Sequence, residues 1–274
     1  MTRYALLVEL EVFSEVSIGP PLIGPAPPAL PAPPPTTLLG ALSYPYLRER
    51  KIPEIVYVNG RPCSPAVKLI DRVHYASAGF YGRVEQRTLE RVIQAFYLRK
   101  DHLYEKGKKG VEGERPKNVR MLWSVAQRGL TLYADDKLYL FYVVSDPELA
   151  MYAHGIARVG RKESIAVVRS VVMRPLKELV TDERDGLTIF YTPKECADWC
   201  EGSFEVEMSA IHEDNLCKAL APSVVNKYYV SGFYGMRCKA SDNGVFLRLP
   251  VDEVEDATLR DYPMILVPKN VLGV

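Results

Sequence analysis

The chain is predicted to fold as an α+β protein, with a four-stranded sheet in its first two thirds and a small, mostly β part behind it. Three observations predict this. Apolar and polar residues alternate with period two at the start; strand-like and helix-like segments then follow in the order strand, helix, strand, strand, helix, strand up to about residue 175; beyond Pro175 only short strand-like runs separated by turns remain. This is the order of a ferredoxin-like domain, the architecture of RNA-recognition (RRM-like) sheets. Residues 1–175 are accordingly read as one ferredoxin-like domain with an insertion at about 76–118, and residues 176–274 as a small β-rich C-terminal domain. With 274 residues, 47% hydrophobic and 25% charged, the chain has material for both cores.

The first strand is read from Tyr4, Leu6, Val8, Leu10 and Val12, which alternate with Ala5, Leu7, Glu9, Glu11 and Phe13. Nine of the sixteen residues from Pro20 to Pro35 are proline, so this stretch joins neither helix nor central strand. It is expected as a stiff loop carried across a surface. Thr36 and Thr37 can cap a helix starting near Leu38, and Pro45 should end or bend it. Capping and tight helix packing account for Thr36, Thr37 and Gly40 without a ligand. Ala66 to Tyr75 reads as a strand. From Thr88 to Tyr104, the spacing of Leu89, Val92, Ile93, Phe96, Tyr97, Leu103 and Tyr104 predicts a helix.

The run EKGKKGVEGERPKN, Glu105 to Asn118, reads as a basic, glycine-punctuated loop. Val119 to Val125 and Leu130 to Val144 read as strands, the second folded into a hairpin at Asp135-Asp136. Asp146-Pro147 should open a short helix to about Ala153. GIARVGRKES, Gly155 to Ser164, is a basic loop, and Ile165 to Met173 is a strand. Phe204 to Met208, Lys227 to Val230, Val245 to Leu249 and Met264 to Val267 are the later strand candidates.

Net charge is +1, but its distribution is uneven. Arg83 to Arg120 holds eleven Lys and Arg against six Asp and Glu, net +5, and Gly155 to Arg174 five against one, net +4. Glu178 to Asp214 holds two basic against eleven acidic residues, net −9. One face meeting a polyanion would produce this pattern, although a single charge cluster is in itself only a solvated face. The longest apolar stretches fall far short of the roughly 20 residues of a spanning helix, and no secretory signal is visible, so a cytoplasmic protein without membrane association is expected.

Five cysteines at irregular spacing, 63, 196, 200, 217 and 238, argue for reduced thiols. Cys196, Cys200, His212 and Cys217 could supply four zinc ligands, and a disulfide from Cys196 to Cys200 or Cys217 is the other reading. No cofactor is expected. No phosphate-binding P-loop, nucleophile elbow, zinc-protease or EF-hand motif occurs.

Two runs carry a family resemblance. PPPTTLLGALSY, Pro33 to Tyr44, resembles the first-helix motif of the Cas-five family, a Cascade subunit of the RAMP superfamily in CRISPR immunity. GIARVGRKESIAVV, Gly155 to Val168, is similar to that family's glycine-rich loop and the strand after it. The resemblance is nearest to the archaeal type I-A branch and covers roughly residues 1–50 and 119–174. It implies a non-catalytic subunit that binds the five-prime handle of CRISPR RNA and caps the complex, with the Cascade backbone and large subunits as partners. On this view Gly155 and Gly160 let the backbone approach phosphate, Arg158, Arg161 and Lys162 neutralise it, and Ser164 donates a hydrogen bond. The insertion would be the family's thumb, and Lys106, Lys108, Lys109, Arg115, Lys117 and Arg120, in it and just after it, would order on RNA or a partner. The alternative is a metal-independent endoribonuclease processing CRISPR repeat RNA. It would draw a base from His74, Tyr75, His102, Tyr104 or His154, with His154 first.

Overall fold

The computed structural model describes residues 2–13, 15–16, 18, 29–95, 123–133, 135–160, 164–217, 224–254 and 256–273, with backbone alone for 86–95 and 123–129. The fold is mixed α/β, mostly strands with few helices.

Strand β1 (Tyr4–Val12) leads through the proline-rich segment into helix α1 (Pro35–Glu49). A small hairpin follows, β2 (Val56–Val58) with β3 (Arg61–Cys63), then β4 (Val73–Gly79). The chain continues into a long two-stranded arm, β5 (Val84–Ala95) with β6 (Trp123–Tyr133), and returns as β7 (Lys137–Val144), α2 (Leu149–Ala153) and β8 (Ala166–Pro175). The central sheet has the order β4-β7-β1-β8 with every neighbouring pair antiparallel. One face places Leu6, Val8, Leu10, Leu140 and Tyr142 against Leu38, Leu39 and Leu42 of α1 and Leu149 and Ala153 of α2. The Tyr142 hydroxyl donates to the Leu38 carbonyl at 3.0 Å, tying sheet to helix.

The C-terminal strands are β9 (Asp185–Thr188), β10 (Thr192–Pro193), β11 (Ala197–Glu201), β12 (Ser203–Ser209), β13 (Val225–Ser231), β14 (Met236–Ala240), β15 (Gly244–Arg248) and β16 (Met264–Pro268), with helices α3 (Glu213–Leu216) and α4 (Thr258–Asp261). The four later strand candidates fall within β12, β13, β15 and β16. Phe190, Leu247, Leu259, Ile265 and Val267 of this region bury the second face of the central sheet, formed by Ala5, Leu7, Tyr139, Phe141, Val143 and Val172. Burial on both faces explains why β1 and β7 are apolar almost throughout. A polar cluster closes this interface. The buried Asp256 carboxylate accepts from Lys137 Nζ at 2.5 Å, the Tyr139 hydroxyl at 2.5 Å and the Thr258 N–H at 2.8 Å.

Several expectations are corrected. The helix predicted from Thr88 is a strand over residues 88–95, paired antiparallel with β6; the rest of that segment lies outside the described residues. The spacing of Leu89, Val92 and Ile93 matches a helical period, but antiparallel pairing with β6, with one register shift between Arg87 and Glu90, holds the segment extended. Ala66 to Tyr75 is not one strand: Pro65–Leu69 is a 3-10 turn, opened by Pro65 and capped by the Ser64 hydroxyl, and β4 begins only at Val73. Helix α1 starts at Pro35, not Leu38, and no side chain caps it. The fixed φ of a first-turn proline supplies the start instead, and Pro45 lies inside the helix without ending it.

Strands β6 and β7 do meet at the Asp135-Asp136 turn, where Asp136 takes φ 52°, but they do not pair with each other. They diverge into separate sheets, the arm and the central sheet. The described end of the proline-rich segment, residues 29–35, is buried rather than carried across a surface. The carbonyls of Leu30 and Pro31 accept from Thr131 Oγ1 at 2.6 Å and the Tyr133 hydroxyl at 3.1 Å, which wedges the segment under the root of β6.

The cysteines are not uniformly reduced. Cys63 pairs with Cys217 and Cys200 with Cys238, leaving Cys196 as a buried free thiol. Neither the four-ligand zinc set nor a Cys196 disulfide forms, because Cys200 and Cys217 are each bonded elsewhere. Among the described residues no cluster of His, Cys, Asp or Glu could hold a metal ion.

Candidate nucleic-acid interface

Helix α2 is opened by Asp146, whose Oδ1 accepts the Glu148 N–H at 3.0 Å. It delivers the chain into the basic loop after Ala153. Buried Ile156 and Val159 anchor that loop from below. Its two limbs are laced by Ala166 N–H to the Ala157 carbonyl at 3.0 Å and Val159 N–H to the Ser164 carbonyl at 3.3 Å. Gly160 stands at the tip with φ +94°, a left-handed conformation that favours glycine. Arg161 and Lys162, next in the tip, lie outside the described residues, as do Lys106, Lys108, Lys109, Arg115, Lys117 and Arg120.

The first helix reaches this loop at its middle. The Arg158 guanidinium lies 4.3 Å from the centre of the Tyr44 ring, and Arg48 approaches the same ring at 5.7 Å. Gly155 sits against Pro45 so closely that a Cβ there would come within 2.8 Å of the proline Cβ. Gly155 is therefore required by packing on α1. Arg158 is half-buried, its planar group laid against an aromatic face. Ser164 is buried, and its hydroxyl donates to the Glu15 carbonyl at 3.3 Å, fastening the loop from within.

Thr36, Thr37 and Gly40 are half-buried in the first half of α1. Their expected structural roles do not materialise: no side chain caps the helix, and a Cβ on Gly40 would meet nothing within 4 Å. His154 is exposed beside Gly155 at the C-terminal end of α2. His74 and Tyr75 are neighbours on β4, at the register shift between Val73 and Tyr75. Burial lowers the pKa of His74 and pushes the Tyr75 phenol well above its ordinary value, so neither is set up as a general base with its neighbour. His102 and Tyr104 lie outside the described residues.

Because helices cover one face of the central sheet and the C-terminal strands the other, bases cannot lie across its middle as they do on an open RNA-recognition sheet. The exposed chemistry is instead at one end. The C-terminal ends of β1 and β4 and the N-terminal ends of β7 and β8 all lie there, with the basic loop and the root of the arm. Phe13, Ile165 and Val167 are 61%, 55% and 43% exposed at this end, beside the Glu11–Arg169 ion pair. Sequence reasoning passed over Tyr44 and Phe13. Tyr44 was legible only as the last residue of the first motif run, and Phe13 as the aromatic breaking the polar trend of its strand face.

No protein-family model matches the chain. A CRISPR protein from Archaeoglobus fulgidus, known from its crystal structure, aligns over 89% of this chain and 94% of its own, with TM-score 0.51 and 16% identity. A chain of a CRISPR RNA-guided surveillance complex aligns over 98% of both chains, with TM-score 0.45 and 14% identity. The first of these is a likeness of fold. Sequence adds a relative. CRISPR system aCascade subunit Cas5 1 of Saccharolobus solfataricus is 28% identical over 166 residues, which span 60% of this chain and 62% of that relative. The chain resembles the Cas-five family of archaeal Cascade, as its two motif runs indicate.

Proposed function

We propose that this protein is a non-catalytic subunit of a type I CRISPR interference (Cascade) complex, binding the five-prime handle of CRISPR RNA and capping the backbone assembly. The backbone and large subunits would be its protein partners. One observation carries this reading: the two motif runs, more than a hundred residues apart in sequence, meet through Tyr44 on Arg158 and Pro45 on Gly155. The relative named as an aCascade subunit supports the same assembly.

Residues 1–175 are taken as the ferredoxin-like RAMP domain. The order β4-β7-β1-β8, with α1 between β1 and β4 and α2 between β7 and β8, supports this. Residues 176–274 are taken as the β-rich second domain, which closes the sheet face that an isolated RNA-recognition fold would leave open. RNA is then held at the loop end. Arg158, Arg161 and Lys162 neutralise phosphates, Gly155 and Gly160 let the backbone approach them, and Ser164 shapes the loop. Gly40 leaves open space on the helix that also carries Thr36, Thr37 and Tyr44, and Lys106, Lys108, Lys109, Arg115, Lys117 and Arg120 add positive charge in the sequence between the two strands of the arm.

The test is a mobility shift with repeat-derived CRISPR RNA, with and without the backbone subunit. Reversing Arg158, Arg161 and Lys162 to Glu is expected to weaken binding and to flatten the salt dependence by roughly 2 in log–log slope. Unchanged affinity and slope would remove the loop from the RNA surface. Deleting Glu105 to Asn118 should leave a folded protein that co-purifies poorly with the backbone subunit. Incubation of the RNA without metal should leave it intact; a single cut that disappears in His154→Ala would establish the endoribonuclease reading instead.

A further inference from the structure

A second exposed feature lies at the same end of the sheet, on the turn between β13 and β14. Its sequence is Gly232-Phe233-Tyr234-Gly235, and Phe233 and Tyr234 are 57% and 67% exposed. Exposed aromatic pairs on turns are commonly mobile, but this one is fixed from three sides. The Gly82 N–H donates to the Phe233 carbonyl at 2.8 Å, the Tyr262 hydroxyl donates to the Tyr234 carbonyl at 2.5 Å, and the Tyr81 ring packs against both Tyr234 and Tyr262 at 5.5 and 5.6 Å. Gly235 takes φ +83°, and a Cβ there would fall 2.2 Å from the Tyr262 ring, so the turn tolerates only glycine at this position. The backbone is thus held in one conformation while the two rings face solvent.

We propose that Phe233 and Tyr234 form a stacking platform for the bases of single-stranded RNA. A turn backbone held in place before binding leaves less conformational freedom to lose on contact, and every base presents a π-face to the two rings. Position favours nucleic acid over a protein partner. Gly82, which pins the platform, is followed directly by the Arg83 to Arg120 segment, net +5, and the net +4 basic segment begins at the opposite side of the same sheet end. Aromatic faces flanked by cationic segments are the combination that tracks a single strand. Phe233 touches Tyr234, with ring centres 6.5 Å apart, and the core is built from Tyr81 and Tyr262 beneath, so Phe233 is dispensable for packing. The proposal rests on the RNA-binding reading above and names a second contact region for it.

The test uses the full-length protein and a 12-residue oligoadenylate carrying 2-aminopurine at successive positions, with an abasic oligomer of equal length as control. Wild type is expected to quench 2-aminopurine at one or two adjacent positions. Phe233→Ala alone, and Phe233→Ala with Tyr234→Ala, should abolish the quenching and weaken binding about ten-fold or more, with the salt slope unchanged, while Phe233→Tyr retains both. The abasic oligomer should bind all variants equally. If Phe233→Ala, folded by circular dichroism, binds and quenches as wild type does, the platform is overturned and the RNA-binding reading stands. If the variants bind RNA normally but no longer co-purify with other subunits, the turn is a protein contact and the proposal also falls. Wild type that neither binds nor quenches any probe overturns the RNA-binding reading and the platform with it.

Discussion

The guanidinium of Arg158, in the loop before β8, lies over the ring of Tyr44 in α1 at 4.3 Å from its centre. This contact makes a helix motif and a loop motif into one surface. It predicts that Tyr44→Ala weakens RNA binding about two- to five-fold, as expected for loss of an exposed cation–π contact worth about 0.5–1 kcal/mol. Tyr44→Phe, which keeps the ring, should bind as wild type. Fluorescence anisotropy with labelled repeat RNA checks both, and equal loss in the two variants would place the effect on the hydroxyl instead.

Gly155→Ala should destabilise the fold by about 1–3 kcal/mol, because the new methyl meets Pro45 at 2.8 Å in a packed contact. Pro45→Gly in the same chain, which removes the Cβ that the new methyl meets, should make the double variant lose less than the sum of the two single changes. Urea denaturation of the single and double variants measures this, and additive losses would show that the two residues do not oppose each other.

The Asp256 carboxylate sets the acid limit of the interface between sheet and C-terminal strands. Burial by itself would raise its pKa, but hydrogen bonds from Lys137, Tyr139 and Thr258 outweigh burial and hold it at about 2, below the ordinary 3.8. A depressed carboxylate pKa stabilises the fold fully above the unfolded value, and that contribution is lost as pH falls through the folded one. Stability should therefore fall by about 2 kcal/mol between roughly pH 4 and pH 2 through this group. In Asp256→Asn the protein should be less stable at pH 7 and its melting temperature should fall less steeply across that window. An unchanged acid profile would assign the effect to other carboxylates.

Thiol chemistry separates the cysteines. Of five, two pairs are bonded and Cys196 is free but buried, and burial with the nearby Glu195 charge pushes its thiol up to about 12. Native protein should react negligibly with a thiol reagent; denatured, unreduced protein should release one equivalent and reduced protein five. The Cys63–Cys217 bond ties the β2–β3 hairpin to the end of α3 across 154 residues, so Cys63→Ser with Cys217→Ser should cost about 2–4 kcal/mol. More than one reactive thiol in the unreduced, denatured protein would contradict the pairing.

A chain ending at residue 175 should be insoluble, since it would expose Leu7, Tyr139, Phe141 and Val143 together on one sheet face. Soluble expression of 1–175 with the far-ultraviolet circular dichroism of a folded sheet would show that the N-terminal part does not need its cover.

Much of the fold was legible where the signal is local. The alternation of Tyr4 to Val12 placed β1 and the apolar run of Leu138 to Val144 placed β7, because period acts within a few residues, whereas the helix expected to open at Asp146-Pro147 begins only at Leu149, with no side-chain cap at its N-cap Glu148. Local signal also misled. Leu89, Val92 and Ile93 match a helical period, and only pairing with β6 makes the segment a strand. Of the site, the basic loop and the first helix were legible as charge and motif, while the exposed pair Phe233 and Tyr234 left no mark beyond two flanking glycines.

The sequence by itself determined the strand and helix order around the central sheet, the position of its basic loop and the uneven charge along the chain, all of which are properties of neighbouring residues. The tertiary structure alone decided which cysteines pair, that both faces of the sheet are covered, and that Arg158 rests on Tyr44 while Phe233 and Tyr234 stand exposed. Each of these depends on residues tens to more than a hundred positions apart. Such contacts form only when the buried surface of the whole fold repays the loss of chain entropy, and no window of sequence contains that balance.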